Sequence, residues 1–248
     1  MVSLDSSPYD AIAEMYDSLW ADWYLPAALP ALEQLFFGRI PAAASVLDLC
    51  CGCGHTTQEL VRRGYRVTGI DISSALIAIA RERLPKTDLR VQDARHFHYK
   101  QRFQGVLSTF DSLNHLLTIE DLKLVFSCVN GALRPNGYFV FDMNLEEAYA
   151  PGSWQWSVDV KDRSVSLVRA GYDFATHTAT TELLWFASGP AGCWRQSRSV
   201  VTQRCYAKAE IILALQAAGF RDIRATAAEE AGVTSDIGFG RWFFSARG

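Results

Sequence analysis

The segment VLDLCCGCG, residues 46–54, constrains this chain more than any other. An apolar run of strand length passes directly into Gly52-x-Gly54, and a short helical stretch follows through Arg63 before Gly64 ends it. Glycines at a strand-to-helix corner let the backbone turn sharply and approach a ligand that a Cβ would hold away. A strand, a glycine turn and a helix open a doubly wound α/β fold, where ligands collect beyond the carboxyl ends of the parallel strands.

The chain keeps that rhythm to about residue 150. YRVTGID (65–71) and DLRVQD (88–93) read as the second and third strands, with a helix between them from the cap Ser73 to Leu84, closed by Pro85. FQGVLSTF (103–110) is the fourth strand. Thr118 with Asp121 resembles a capping box that opens a helix to about Leu133. RPNG (134–137) reads as a turn and YFVFDMN (138–144) as the fifth strand. Such alternation predicts right-handed βαβ units and a mostly parallel sheet. Ahead of it, Ile12, Met15, Tyr16 and Leu19 fall at helical spacing, and Pro26 and Pro30 are expected to interrupt or restart that helix.

After Pro151-Gly152 the helical period gives way to short β-rich runs across 154–206, separated as in antiparallel hairpins. Four of the seven tryptophans lie there, Trp154, Trp156, Trp185 and Trp194, and are read as core of that sheet. A helix returns over AKAEIILALQAAGF, with Gly219 placed to end it, and RDIRATAA and GFGRWFFSA finish as strands. The expectation is an α/β fold, Rossmann-like and doubly wound, with a mostly parallel seven-stranded sheet and an inserted antiparallel β lid. Residues 1–150 and 207–248 form the main domain, and residues 151–206 the insert.

Composition narrows the partners. A net charge of −3 over 248 residues argues against a general nucleic-acid binder, which must neutralise many phosphates. No apolar run is long enough for a transmembrane helix, and the N-terminus lacks the basic and apolar regions of a signal peptide, so a cytoplasmic location without membrane is expected. Six cysteines, three of them in CCGC at 50–53, form neither a disulfide framework nor a zinc pattern, and no metal is expected. Acidity concentrates in residues 1–44, which hold six carboxylates against one arginine.

Asp71 ends the second strand seventeen residues after Gly54, where a carboxylate can accept from both ribose hydroxyls. Asp93 ends the third strand on the same rim and can meet the amine of an adenine. Two cofactor classes fit. A dinucleotide site wants a third glycine, but Thr57 stands there and the turn has no basic residue. Asp48 inside the motif opposes a pyrophosphate and suits an ammonium or sulfonium ligand. The charge pattern favours a cationic, adenosine-containing cofactor.

These blocks resemble the class I S-adenosylmethionine (SAM)-dependent methyltransferases. VLDLCCGCG is similar to that family's glycine motif, VTGID to its ribose motif, VQDAR to its adenine motif and LRPNGYFVFD to its fifth-strand region. Cys50 stands where the family most often has its first glycine. The resemblance implies that Asp48 orients the methionine amino group, with backbone of Cys50, Cys51 and Gly52 nearby and Gly54 completing the turn. It implies that Asp71 holds the ribose, that Ile72 packs on adenine, and that Asp93 and Ala94 meet the adenine edge. The N-terminal YDxxAxxYD pattern recurs in small-molecule methyltransferases, where a tyrosine closes over the cofactor; Tyr16 is the first candidate and Tyr9 the second. The block STFDSLNHL (108–116) falls where the family places methyl transfer, with Thr109 at the cofactor and His115 as base or acceptor-orienting group. No NPPY-like tetrapeptide of the nucleic-acid relatives occurs there.

Bland readings stand beside these roles. Asp48 can be a buried structural acid, Asp93 a helix cap, His115 a hydrogen-bonded loop residue and Tyr16 part of an apolar stripe. His55, His96, His98 and His177 are read as solvated or structural. The reading is a methyltransferase acting on nitrogen or oxygen of a small-molecule acceptor enclosed between the N-terminal helix and the insert, with a homodimer as a further expectation. An NAD(P)-dependent oxidoreductase and a non-catalytic SAM-binding scaffold are the alternatives.

Overall fold

The computed structural model describes residues 7–149, 155–189 and 192–248. Pro151-Gly152 and Trp154 lie outside the described residues. In chain order the helices and strands are α1 (Ala13–Met15), α2 (Ala21–Leu32), β1 (Ser45–Leu49), α3 (His55–Arg62), β2 (Arg66–Asp71), α4 (Ser74–Arg83), β3 (Asp88–Val91), β4 (Phe103–Ser108), α5 (Ile119–Ala132), β5 (Leu133–Asn144), α6 (Glu146–Tyr149), β6 (Ser157–Lys161), β7 (Ser164–Asp173), β8 (Thr178–Ser188), β9 (Trp194–Arg204), α7 (Lys208–Ala217), β10 (Arg221–Ala227) and β11 (Arg241–Arg247). A seven-stranded sheet runs β10-β11-β5-β4-β1-β2-β3, and a separate four-stranded sheet runs β6-β7-β8-β9.

Strands β1 to β5 are parallel; β11 runs antiparallel between β5 and β10. Side-chain alternation splits each central strand between two cores. Leu47, Val106, Phe139 and Phe244 face a core shared with α5 and α7, including Leu122, Val125, Ile211 and Leu215. Their neighbours Val46, Leu107, Val140 and Phe243 face the opposite core, with Tyr24, Ala28, Leu32 and Phe36. Helices thus cover both faces, and the carboxyl ends of β1, β2, β3 and β4 are left as one open rim.

Two local expectations are corrected. Pro26 and Pro30 sit inside α2 and do not interrupt it. Wider π turns flank that helix at Tyr16–Trp20 and Glu33–Phe37, and burial of Tyr24, Ala28, Ala31 and Leu32 outweighs the hydrogen bonds that the prolines remove. RPNG is not a free turn but a bulge within β5. Leu133 pairs with Phe103, the register shifts, and pairing resumes at Tyr138 with Gly105. Asn136 takes φ +62° to absorb the extra chain.

The caps read from sequence form. Ser73 accepts from the Leu76 N–H and Thr118 from the Asp121 N–H, while Gly219 takes φ +90° after α7. The insert's sheet is a continuous antiparallel meander. Its inner face carries Leu183, Trp185 and Val201 against Ile12 and Met15 of the N-terminal segment. Trp185 is buried as expected of sheet core, but Trp156 and Trp194 are exposed. Trp156 instead stacks under the Arg169 guanidinium, 4.6 Å from its ring centre. Among the described residues no helix is long and apolar enough to cross a membrane.

Candidate active site

The open rim is the floor of a cavity of about 600 Å³, a size ordinary for small-molecule sites. The N-terminal segment forms one wall and strands β8 and β9 of the insert another. Of the residues expected at the site, Tyr9, Tyr16, Cys50, Gly52, Asp71, Ile72, Asp93, Ala94 and His115 line it. Asp48, Cys51, Gly54 and Thr109 do not; they lie in the layer beneath.

The turn after β1 shows why. Cys50 adopts φ +60°, the left-handed conformation that glycine takes more readily. Gly52 follows at φ +53°, and a Cβ there would stand 3.6 Å from the Tyr16 ring, so the tyrosine and the loop backbone close on one another. Gly54 is left-handed too, but a Cβ on it would meet Ala80 of α4 at 3.2 Å. Its role is to let α3 start against α4. Cys51 is buried beside Ile77, Ala80 and Leu89. Asp48 is almost fully buried and accepts from the Thr57 hydroxyl. Burial pushes its carboxyl up to about 7, with the Thr57 bond opposing and Asp71 adding to the rise. Thr57, where a dinucleotide site would have glycine, therefore braces the acid. Thr109 is buried and shares a hydrogen bond with Thr56.

Asp71 accepts from the backbone N–H of Gly52 at 2.9 Å and of Ser73 at 2.8 Å. Burial raises its pKa against the lowering effect of those two bonds. Each oxygen keeps a lone pair for a further donor from the cavity. Asp93, at the next strand end, is clasped by Arg95 through Nη2 at 2.7 Å and by the Arg95 N–H at 2.8 Å. Burial favours its neutral form, but these bonds prevail and hold the carboxyl below the usual range.

The other end of the cavity is aromatic and basic. Tyr9 Oη lies 3.0 Å from His115 Nε2, and His115 Nδ1 lies 3.3 Å from the Thr202 carbonyl. A carbonyl oxygen only accepts, so Nδ1 carries the proton and Nε2 accepts from Tyr9. Burial lowers the His115 pKa, opposed by Asp111 and the Thr202 bond. The ring is thus a neutral base whose unprotonated nitrogen, at the cavity wall, is held by the Tyr9 hydroxyl. Tyr9 also meets Tyr16 edge-on at 5.3 Å, and Phe110 stacks on Tyr24 at 4.4 Å.

Behind this wall lies a charged group that the sequence did not announce. Phe110 and Asp111 are both left-handed, φ +63° and +48°. Asp111 accepts from Arg241 Nη2 at 2.7 Å and from Gln203 Nε2 at 2.5 Å. Arg241 also pairs with Asp142, which accepts from the Asp111 N–H at 3.1 Å and the Tyr24 hydroxyl at 3.0 Å. This network fixes the loop that carries His115 to β5 and β11.

Two further acids latch the N-terminal segment. Asp10 accepts from Ser73 Oγ at 2.6 Å and from the Ala75 N–H at 3.2 Å, at the start of α4. Asp17 accepts from His55 at 2.9 Å and Arg83 at 2.8 Å. Both sit in the YDxxAxxYD pattern beside the tyrosines, and their recurrence with each tyrosine was the available signal. His55 is accordingly structural, while His96 and His98 are exposed.

Residues 46–137 match the family model of a methyltransferase domain. The chain is 28% identical over 192 residues to dTDP-3-amino-3,4,6-trideoxy-alpha-D-glucopyranose N,N-dimethyltransferase of Streptomyces venezuelae, a match spanning 77% of this chain and 81% of that one. It is 32% identical over 146 residues to dTDP-3-amino-3,6-dideoxy-alpha-D-glucopyranose N,N-dimethyltransferase of Streptomyces fradiae, spanning 57% of this chain and 56% of that relative. Its fold matches a SAM-bound amino pentose methyltransferase from Micromonospora echinaspora with a TM-score of 0.71 at 23% identity, over 97% and 96% of the two chains. The chain thus carries a methyltransferase domain in the fold of the class I SAM-dependent methyltransferases. That domain is a methyltransferase's, and a solved structure of the same fold holds SAM.

The residues present fit that cofactor. Asp71 offers unfilled acceptor positions beside the glycine turn, Ile72 and Ala94 supply flat apolar contact, and the left-handed Gly52 leaves open the space that a side chain would fill.

Proposed function

We propose that this enzyme methylates a nitrogen of a small-molecule acceptor, using His115 to take up the acceptor's proton. The observation that carries the reading is the Nδ1–H of His115 turned toward the Thr202 carbonyl, which leaves Nε2 as a neutral acceptor at the cavity. The Asp71 end would hold SAM, which when bound would supply an electrophilic methyl for the acceptor's lone pair and take the electrons of the carbon–sulfur bond onto sulfur as it leaves. Asp71 would hold the ribose, Ile72 and Ala94 the adenine face and edge, and Asp93 the adenine amine, with Tyr16 closing over the turn. Asp48, Cys51, Gly54 and Thr109 would serve by shaping the turn. Alignment in such a closed site can lower a barrier by up to about 7–11 kcal/mol, and a positioned base adds about 10²–10⁴-fold in rate. The names of the amino-sugar relatives support nitrogen over oxygen.

On this reading residues 1–150 and 207–248 are the cofactor domain, and residues 151–206 the lid over the acceptor. The exposed Val158 and Val160 on the sheet of the insert support a homodimer through that sheet. Six unpaired cysteines fit the reducing cytoplasm. The test is S-adenosylhomocysteine release with a panel of small amines and alcohols. Turnover on amines is expected; SAM binding with no turnover on either class would favour the scaffold.

A further inference from the structure

The relatives named above act on sugars joined to a nucleoside diphosphate, so their acceptors carry a multiply charged anion into the protein. This cavity is built against one. Among the described residues its charged lining is four carboxylates, of Asp71, Asp93, Asp111 and Asp121, and one guanidinium, that of Arg95. Arg95 is already bound to Asp93 at 2.7 Å and reaches Asp121 at 3.4 Å. Among the described residues the acceptor end, around Tyr9, Phe110, His115, Leu183 and Gln203, has no lysine or arginine in its wall; Arg241 behind it is held by Asp111 and Asp142, and burial lowers the His115 pKa.

The two helix starts that border the cavity, those of α4 and α5, are occupied as well. Helix N-termini attract anions through free N–H groups. At the start of α4, the Ala75 N–H is taken by Asp10 and the Leu76 N–H by Ser73. At the start of α5, Thr118 accepts from the Asp121 N–H, and Glu120 and Asp121 add negative charge to the first turn. Arginines of the insert have protein partners: Arg163 the Ser188 carbonyl, Arg169 and Arg198 Glu182, Arg195 Glu14, and Arg204 Glu210 and the Leu117 carbonyl. Arg204 Nε is buried without a hydrogen-bond partner among the described residues. The segments outside the described residues contain no lysine or arginine.

We infer that the acceptor is an amine that enters without any phosphate attached. It gives its proton to His115 Nε2, displacing the Tyr9 hydroxyl from that nitrogen, before its lone pair is methylated. This inference rests on the proposed methyl transfer to nitrogen, and the two fail in different ways.

The deciding experiment titrates thymidine diphosphate, the handle of the relatives' acceptors, into the full chain saturated with S-adenosylhomocysteine, by calorimetry. Binding weaker than about 1 mM is expected. A dissociation constant tighter than about 100 µM overturns the inference. A second arm compares turnover of free 3-amino-3,6-dideoxyglucose with its thymidine-diphosphate conjugate. A kcat/KM at least about tenfold higher for the free amine is expected, and a preference for the conjugate overturns the inference. The titration reads out even where neither sugar turns over. Failure of S-adenosylhomocysteine to bind would instead strike the proposed function.

Discussion

Tyr9 and His115 stand 106 residues apart in the chain, yet the tyrosine hydroxyl lies 3.0 Å from the imidazole Nε2. That bond joins the N-terminal segment to the loop after β4 in the wall of the cavity. Its orientation follows from the opposite ring nitrogen, which donates to a carbonyl of the insert. Three separate parts of the chain therefore set one protonation state.

That protonation state fixes the pH profile. Burial holds His115 below its ordinary value of 6.5, so the neutral base persists to lower pH than in a free imidazole. The single-turnover rate is expected to rise with pH through a midpoint below 6.5 and then level off. Folding stability follows the same sign. The unfolded chain binds the proton more readily, so the contribution is whole above about 6.5 and is lost as pH falls through the depressed folded value. A midpoint above 7 would refute this assignment.

Asp71→Ala removes the acceptor for two backbone N–H groups and, on the proposed reading, for the ribose. Hydrogen bonds to a charged group are worth about 1.5–3 kcal/mol, so S-adenosylhomocysteine affinity is expected to fall by about 10- to 100-fold in calorimetry. Unchanged affinity would mean that the ribose lies elsewhere.

Asp48 shifts in the opposite sense to a salt-bridged acid. Its folded value of about 7 lies above the ordinary 3.8. Its stabilising share is present below about 4 and is lost as pH rises through about 7. Asp48→Asn is therefore expected to flatten the decline in melting temperature of the cofactor-free protein between pH 5 and pH 8, on the order of a few degrees for a chain of this size. An identical decline in both proteins would contradict the burial of that charge.

Cys50 stands left-handed where glycine is preferred. Relief of about 1–2 kcal/mol of backbone crowding offsets the entropy of a glycine, about 0.5–1 kcal/mol. Cys50→Gly is expected to leave unfolding free energy within about 1 kcal/mol of the parent, whereas Cys50→Val, branched at Cβ, should destabilise clearly. Chemical denaturation of both variants checks the pair.

Arg241→Met strands Asp111 and Asp142 without their cation. Breaking a buried ion pair from one side costs about 3–5 kcal/mol, and the denaturation midpoint should fall accordingly. Adding Asp142→Asn to that variant should recover part of the loss. No recovery would mean that the two groups act independently.

The cofactor half of this site was legible because it is local. Strand, glycine turn and helix adjoin in sequence, and Asp71 and Asp93 end strands whose pattern is plain. Even there, sequence could not tell which turn residues face the cavity: Gly52 meets Tyr16, while Gly54 meets Ala80. The acceptor half was mostly hidden because its parts are distant. Arg241 reaches Asp111 across 130 residues and Gln203 across 92, and no spacing rule joins them. Of the residues at that end, His115 and Tyr9 were singled out in the sequence, and the structure places both in the cavity wall. The prolines misled because propensity is local and the burial that overrode it is not.

The central claim is that His115 Nε2 receives the proton of an amine being methylated. The most direct measurement follows an isotopically labelled methyl from SAM into an amine acceptor in wild type and His115→Ala, with the labelled position read by mass spectrometry. The account expects label on nitrogen, formed at a rate about a hundredfold lower in the variant, with S-adenosylhomocysteine affinity unchanged. Label on oxygen or carbon, or transfer by His115→Ala at the wild-type rate, would contradict it.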